Sequence, residues 1–338
     1  MLTLSTNKIR NLNTPQILKG GMYLTWGASL LVLVTTITGI QSQRHAIQTV
    51  GKDSAPSIIS AQRIKDSLAD MDANVANELL VKSGSNEAIL KNYEERRLKL
   101  ANLIIAAAEN ITYGDAERKP IIELQLNLGK YMERVQKARS FHALGNKGET
   151  LAAYREAANI MDRQLIPAAD DLNKANIESL DRTYSQQQLS GTASFLSILV
   201  SGLLLTSGLV SLQIFLSIRM RRTLNIPLLA ATLIAVSFLL YTISALISST
   251  GNLRIAKEDA FTSIYALRQS RAIAYSANGD ESRYLLDETG ADNHEKSFFD
   301  KTAQLVKLSS GQSLSAVVAK FQKGESVPGF TGLLGNAI

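Results

Sequence analysis

The sequence predicts an all-α integral membrane protein with three transmembrane helices, an up-and-down four-helix-bundle outer domain and a second, incomplete helical outer domain. Three observations carry this. First, uncharged apolar stretches run over about Thr192–Ile218 and Leu224–Ile247, joined by the basic turn Arg219-Met220-Arg221-Arg222, and a third runs over Gly21–Ile40. Each supplies the roughly 20 apolar residues that cross a bilayer core. A chain in lipid must satisfy its own backbone hydrogen bonds, so each is expected to be a helix. Second, apolar residues between the first two spans recur at steps of three and four, the period of a helix face. Third, the excess positive charge sits only beside the spans.

That charge pattern sets the topology. Residues 1–40 hold Lys8, Arg10 and Lys19 and no acid, and 219–223 hold Arg219, Arg221 and Arg222 and no acid. Residues 41–190 carry 20 basic and 20 acidic side chains, and 250–338 carry 10 of each, so the net +6 lies wholly in the two short segments. Such a bias places them inside and 41–190 and 250–338 outside. No basic face remains for nucleic acid. The 338 residues leave room for two or three domains, and the absence of cysteine excludes disulfides and thiolate metal sites.

Taken in order, residues 1–20 are a cytoplasmic basic tail and 21–40 the first transmembrane helix. Tyr23 and Trp26 stand where an interfacial aromatic belt would lie. A cleaved signal peptide is the rival; the stretch is too long and Ile40-Gln41-Ser42-Gln43 lacks a small-x-small site. Residues 41–190 form the extracytoplasmic four-helix bundle. Its first helix carries Val50, Ala61, Ile64, Leu68, Met71, Val75 and Leu79 on one stripe, and Ser83-Gly84-Ser85 breaks it. The second carries Ile89, Tyr93, Leu100, Ile104 and Ile111. Pro120 is expected to open the third, which runs through Leu124, Tyr131 and Val135 to the break at Gly145-Asn146-Lys147-Gly148. The fourth carries Leu151, Tyr154, Met161, Leu165, Leu172 and Tyr184, with a kink expected at Pro167. Four helices joined by short breaks make an up-and-down bundle. Its first and last helices continue into membrane helices, so it is expected to stand upright on the bilayer. Residues 191–218 are the second transmembrane helix, 219–223 the cytoplasmic turn, 224–249 the third transmembrane helix, and 250–338 the second outer domain.

The two outer domains share a short repeat. Leu79-Leu80-Val81-Lys82-Ser83-Gly84 pairs with Leu285-Leu286-Asp287-Glu288-Thr289-Gly290, and Tyr93-Glu94 pairs with Phe299-Asp300 at the same offset. The second copy lacks full third and fourth helices. The expectation is that the C-terminal region is truncated, packs on the first bundle, or borrows helices from a partner.

This order of span, helical domain, span, basic turn, span and helical domain resembles the helical ligand-binding domains of bacterial chemoreceptors and sensor kinases. With Thr14-Pro15 before the first span and Gly279-Asp280-Glu281-Ser282 in the second domain, it is similar to GlnX-like membrane proteins of bacterial amino-acid sensing. The resemblance implies a solute-binding protein as partner outside and a serine/threonine kinase or adaptor inside. The chain departs from that pattern in lacking a fourth span.

Chemistry is sparse. His45, His142 and His294 show no metal-ligand spacing, and no cofactor motif is present. The acids Asp66/Asp70, Glu94/Glu95 and Asp170/Asp171 are interspersed with Lys and Arg and are expected to be solvated faces. Two other features remain. Ser197, Ser201, Gly202, Thr206, Ser207 and Ser211 form a small-residue ladder suited to close helix packing in lipid. Arg63, Asn74, Asn110, Tyr131 and Arg155 are polar residues that a bundle interior could use for a small ligand, with arginine suited to a carboxylate.

The expected function is a non-enzymatic membrane sensor or signal transducer of the plasma (inner) membrane, with no cofactor, contacting membrane lipid and compatible with a homo-oligomer. The alternative is a structural or assembly subunit of a larger membrane complex. The cytoplasmic parts are too small for an output domain, so a signal must pass to partners.

Overall fold

The computed structural model describes residues 14–85, 87–220, 225–308, 313–325 and 330–337. Lys8, Arg10, Arg221 and Arg222 lie outside the described residues; Lys19 and Arg219 are described and exposed. The described chain is helical and holds no strand, apart from an isolated antiparallel bridge between Lys307 and Thr331. Helix α1 is Thr14–Gln48, α2 Ala55–Leu80, α3 Glu87–Glu109, α4 Asp115–Ala143 and α5 Lys147–Ile160. Helix α6 is Ile166–Met220, α7 Ile226–Arg254, α8 Thr262–Leu286, α9 Ala291–Leu305, α10 Leu314–Gln322 and α11 Leu333–Ala337.

Local chemistry explains the boundaries. Gly145 adopts φ 73°, and the amide N–H of Asn146 donates to the Phe141 carbonyl, closing the C-terminus of α4. Asn146 then caps α5 by accepting from the Glu149 N–H, and Asn225 caps α7 by accepting from the Leu228 N–H. One proline departs from expectation, and two others follow wide turns. Pro120 does not open its helix: α4 begins at Asp115, and Glu117 seals its start by accepting from the Thr112 and Tyr113 N–H groups, each at 2.7 Å. Pro167 follows a π-helical turn, Met161–Leu165, and Pro56 follows another, Thr49–Ser54. A proline cannot donate to the carbonyl four residues back, and a wider turn just before it accommodates that break. A third π-helical segment, Ile255–Phe261, joins α7 to α8.

The chain divides into two compact units, one from the residues up to Gln48 with Arg182–Ile255, the other from Thr49–Asp181 with Ala256–Ile338. The first contains the apolar parts of α1, α6 and α7, and the continuous helical segments bearing these parts are long and apolar enough to cross a membrane. Trp26, Tyr23, Ile234 and Tyr241 are each more than three-fifths exposed, which suits a lipid surround. Inside this unit Thr35 and Ser201 hydroxyls lie 3.1 Å apart, and Ile198, Leu239 and Leu246 form a small core.

The second unit is the helical body. Its core is built from the residues of the expected stripes: Ile64, Leu68, Met71 and Val75 on α2, Leu100 on α3, Leu124 and Tyr131 on α4, and Leu165 are all fully buried. Helix α8 joins this core, with Leu286 packed against it. Helix α2 packs most extensively against α8 and next against α3, α4 packs on α5, and α9 covers α8. Small residues permit the close α2–α8 contact: a Cβ at Gly279 would sit 3.8 Å from Ala73. Within the expected second outer domain, Thr262–Leu286 packs on the helices that precede it, against α2.

Candidate functional site

Helix α2 is buried on two sides, and its acidic residues therefore meet partners from both. Asp72 is the centre. The Arg283 guanidinium, from α8, donates to Asp72 at 2.6 Å, to Asp162 at 2.8 and 3.2 Å, and to the Tyr154 hydroxyl at 3.2 Å. The Tyr131 hydroxyl donates to the other Asp72 oxygen at 3.2 Å. Asp280, one turn before Arg283 and 1% exposed, lies 3.7 Å from it and accepts from Ser297 and Lys301 of α9. Two cations thus face three carboxylates. Asp162 is half exposed, so water carries much of the residual negative charge. Burial pushes the Asp72 carboxyl up, opposed by Arg283, and burial also pushes the Tyr131 and Tyr154 hydroxyls up. One arginine thereby links α2, α5, the π-helical turn after it, and α8.

Beside this cluster lies a cavity of about 250 Å³ lined by Arg155, Asp162, Arg163, Asp287 and His294. Arg155 forks onto Asp287 with bonds of 2.8 and 2.5 Å, and Thr289 and the Gly290 N–H also donate to that carboxylate. The Arg155 hydrogen bonds, with help from Thr289 and Gly290, hold the Asp287 carboxyl far below the usual carboxylate range. On another face, cavities of about 430 and 360 Å³ share Asp70 and Asn74. The first is completed by Asn92, Glu95, Arg96 and Lys99. The second is completed by Asn77, Tyr275 and Asn278. Arg96 and Arg271 lie over the Tyr275 ring at 5.6 and 5.4 Å and pair with Asp70 and Asp66 respectively.

The five expected ligand residues do not converge. Arg63 is exposed. Asn74 lines the two Asp70 cavities and donates to Asp70. Asn110 is exposed, lines a separate 200 Å³ cavity and donates to Ser57 at 2.8 Å. Tyr131 is fully buried on Asp72, and Arg155 holds Asp287. In the small-residue ladder Ser201 and Gly202 are buried, Thr206 is half-buried, and Ser197, Ser207 and Ser211 are exposed.

Sequence reasoning missed Asp72, Asp280 and Arg283. Asp66, expected to be solvated, is 1% exposed because α8 covers that face of α2 and brings Arg271 to it at 3.4 Å. A signal existed: Asp66, Asp70 and Asp72 interrupt a helix with buried positions on nearly every side, where a charge needs a partner.

No curated protein and no solved structure matches the chain. Residues 46–185, which hold Asp72, Tyr131, Tyr154 and Asp162 but not Arg283, match the family model of the actinobacterial sensor domain, and that match supports a bacterial sensor protein.

Proposed function

We propose that the chain is a non-enzymatic membrane sensor that binds a small molecule or a solute-binding protein with its helical body and passes the signal to a cytoplasmic kinase or adaptor. The match of residues 46–185 to a sensor domain carries this reading. The covalent continuity of that stretch supports it. Helix α6, Ile166–Met220, begins inside the matched segment and runs on through an apolar span. In this reading the body is an upright four-helix bundle outside the cell, the N-terminus lies inside, and two packings of the bundle differ in affinity for the ligand. The cluster around Arg283 suits such a device, because a buried arginine with several carboxylates is satisfied only in well-defined geometries.

In-cell crosslinking tests this. Photoreactive residues at Leu144, 80% exposed, and at Ile218, 77% exposed, sample the body and the basic end of α6. Capture of a solute-binding protein or a saturable small-molecule competitor at 144, together with a kinase or adaptor at 218, is expected. Capture of one large membrane assembly at both positions would replace the sensor reading by a structural subunit.

A further inference from the structure

A cavity of about 540 Å³ lies in the apolar unit rather than in the body. It falls within the size range of small-molecule sites. It sits at the end of the three apolar helices remote from Arg219, between Gln43 of α1, Gln187 and Phe195 of α6, and Leu246, Leu253 and Arg254 of α7. Leu246 and Leu253 are each 7% exposed and make an apolar wall with Phe195. Ile247, also lining it, is 60% exposed and continues into the exposed apolar flank of α7 at Leu240 and Tyr241.

The polar side of this cavity is unfinished. Gln43 is 7% exposed; its amide nitrogen donates to Thr250 at 3.0 Å, while its buried oxygen Oε1 has no hydrogen-bond partner. Gln187 is the complement. Its oxygen accepts from Ser42 and Ser190, each at 3.3 Å, while its buried nitrogen Nε2 has no partner. A buried acceptor and a buried donor left unmade are costly, and each points to a group that would satisfy it. Arg254 lines the same cavity, is exposed, and makes no ion pair among the described residues.

We propose that this cavity binds an anionic amphiphile: an acyl chain lies against Phe195, Leu246 and Leu253, a carboxylate or phosphate meets Arg254 and accepts from Gln187 Nε2, and a head-group hydroxyl, in a lipid that carries one, donates to Gln43 Oε1. The open flank at Ile247 gives lateral entry from the lipid phase. The acyl chain and the anionic group are shared by a bilayer phospholipid and a free fatty acid; of the two, a phospholipid with a glycerol head also brings the hydroxyl that Gln43 Oε1 lacks. The proposal concerns binding alone and stands whether or not the chain transduces a signal.

The test uses the full chain in a neutral detergent, with native mass spectrometry and thermal unfolding. The added probes are dodecanoate, phosphatidylglycerol and the uncharged glycerol ester monolaurin. One saturable equivalent of dodecanoate or phosphatidylglycerol, with a raised Tm, is expected. Phosphatidylglycerol displaced by dodecanoate identifies a site open to free fatty acid; retained phosphatidylglycerol that dodecanoate does not displace identifies a lipid site. Arg254→Gln, at an exposed position, is expected to weaken anionic binding by about tenfold, the loss of a charged hydrogen bond. Phe195→Asp is expected to abolish it. Should that variant misfold, Gln43→Leu, which removes the unmet acceptor together with the hydrogen bond to Thr250, is expected to weaken phosphatidylglycerol binding more than dodecanoate binding, with parent-like circular dichroism showing that the variant folds. Equal binding of monolaurin, absence of a saturable equivalent, or undiminished affinity in Arg254→Gln would overturn the proposal.

Discussion

Arg283 and Asp72 are 211 residues apart in the chain and form a 2.6 Å ion pair whose side chains are 7% and 5% exposed. Removing one partner of such a pair strands the other charge in a low-dielectric interior. Arg283→Met is therefore expected to destabilise the helical body by about 3–5 kcal/mol. Adding Asp72→Asn removes the stranded charge, and part of the loss should return. Denaturant unfolding of the detergent-solubilised full chain, followed by circular dichroism, measures both. Strictly additive losses in the double variant would mean that the pair is not coupled.

Asp287 makes a pH prediction whose sign is fixed. Its folded-state carboxyl is held below the ordinary range, first by the Arg155 hydrogen bond. Its contribution to stability is thus fully present above the unfolded value of about 4 and is lost as pH falls from there toward the depressed folded value. Asp287→Asn should lower Tm relative to the parent at pH 7 and at pH 5, and the gap should shrink between pH 4 and pH 3. A gap that stays constant down to pH 3 would show that Asp287 acts without its charge.

In the apolar unit Gly202 faces Leu239 so closely that an added Cβ would come within 3.1 Å of Leu239 Cγ and nearer still to both of its methyls. Gly27, also helical and apolar in setting, has nothing within 4 Å. Gly202→Val should separate α6 from α7 at a cost of about 1–3 kcal/mol, whereas Gly27→Val should carry only the propensity effect common to both. Because the chain has no cysteine, Thr35→Cys with Ser201→Cys reports the neighbouring α1–α6 contact cleanly. Disulfide yield from that pair should fall in Gly202→Val and hold in Gly27→Val.

These sites differ in how far the sequence revealed them. The apolar spans and the body's core stripes were legible because burial along a helix repeats every three to four residues, and Ile64, Leu68, Met71 and Val75 lie where that period places them. The π-helical turns before Pro56 and Pro167 were not, since their signal is a proline that reads equally well as a start or a kink. Least legible was the role of α8. Its contact with α2 uses Ala73 and Gly279, residues too small to mark a hydrophobic face, and its charges Asp280 and Arg283 look like surface residues until α2 supplies Asp72. Gln43 and Gln187 were passed over because they fall just outside the apolar stretches.

The packing of α8 on α2 sets an order for proteolysis. Arg283 is 6% exposed, lies within a regular helix and donates its guanidinium to three other side chains. Lys323 is exposed at the end of α10, one residue before Gly324 at φ 71°. Trypsin needs an unfolded stretch around the cleaved bond, and local opening is easiest where few buried contacts must break. In the full chain, cleavage after Lys323 should therefore come early and cleavage after Arg283 late, at the rate of global unfolding of the body. In Arg283→Met that site is gone, so Arg271 becomes the reporter, and its cleavage should accelerate as α8 loosens from α2. Early cutting at Arg271 and Arg283 in the parent chain, at the pace of Lys323, would mean that α8 does not belong to the body's cooperative core.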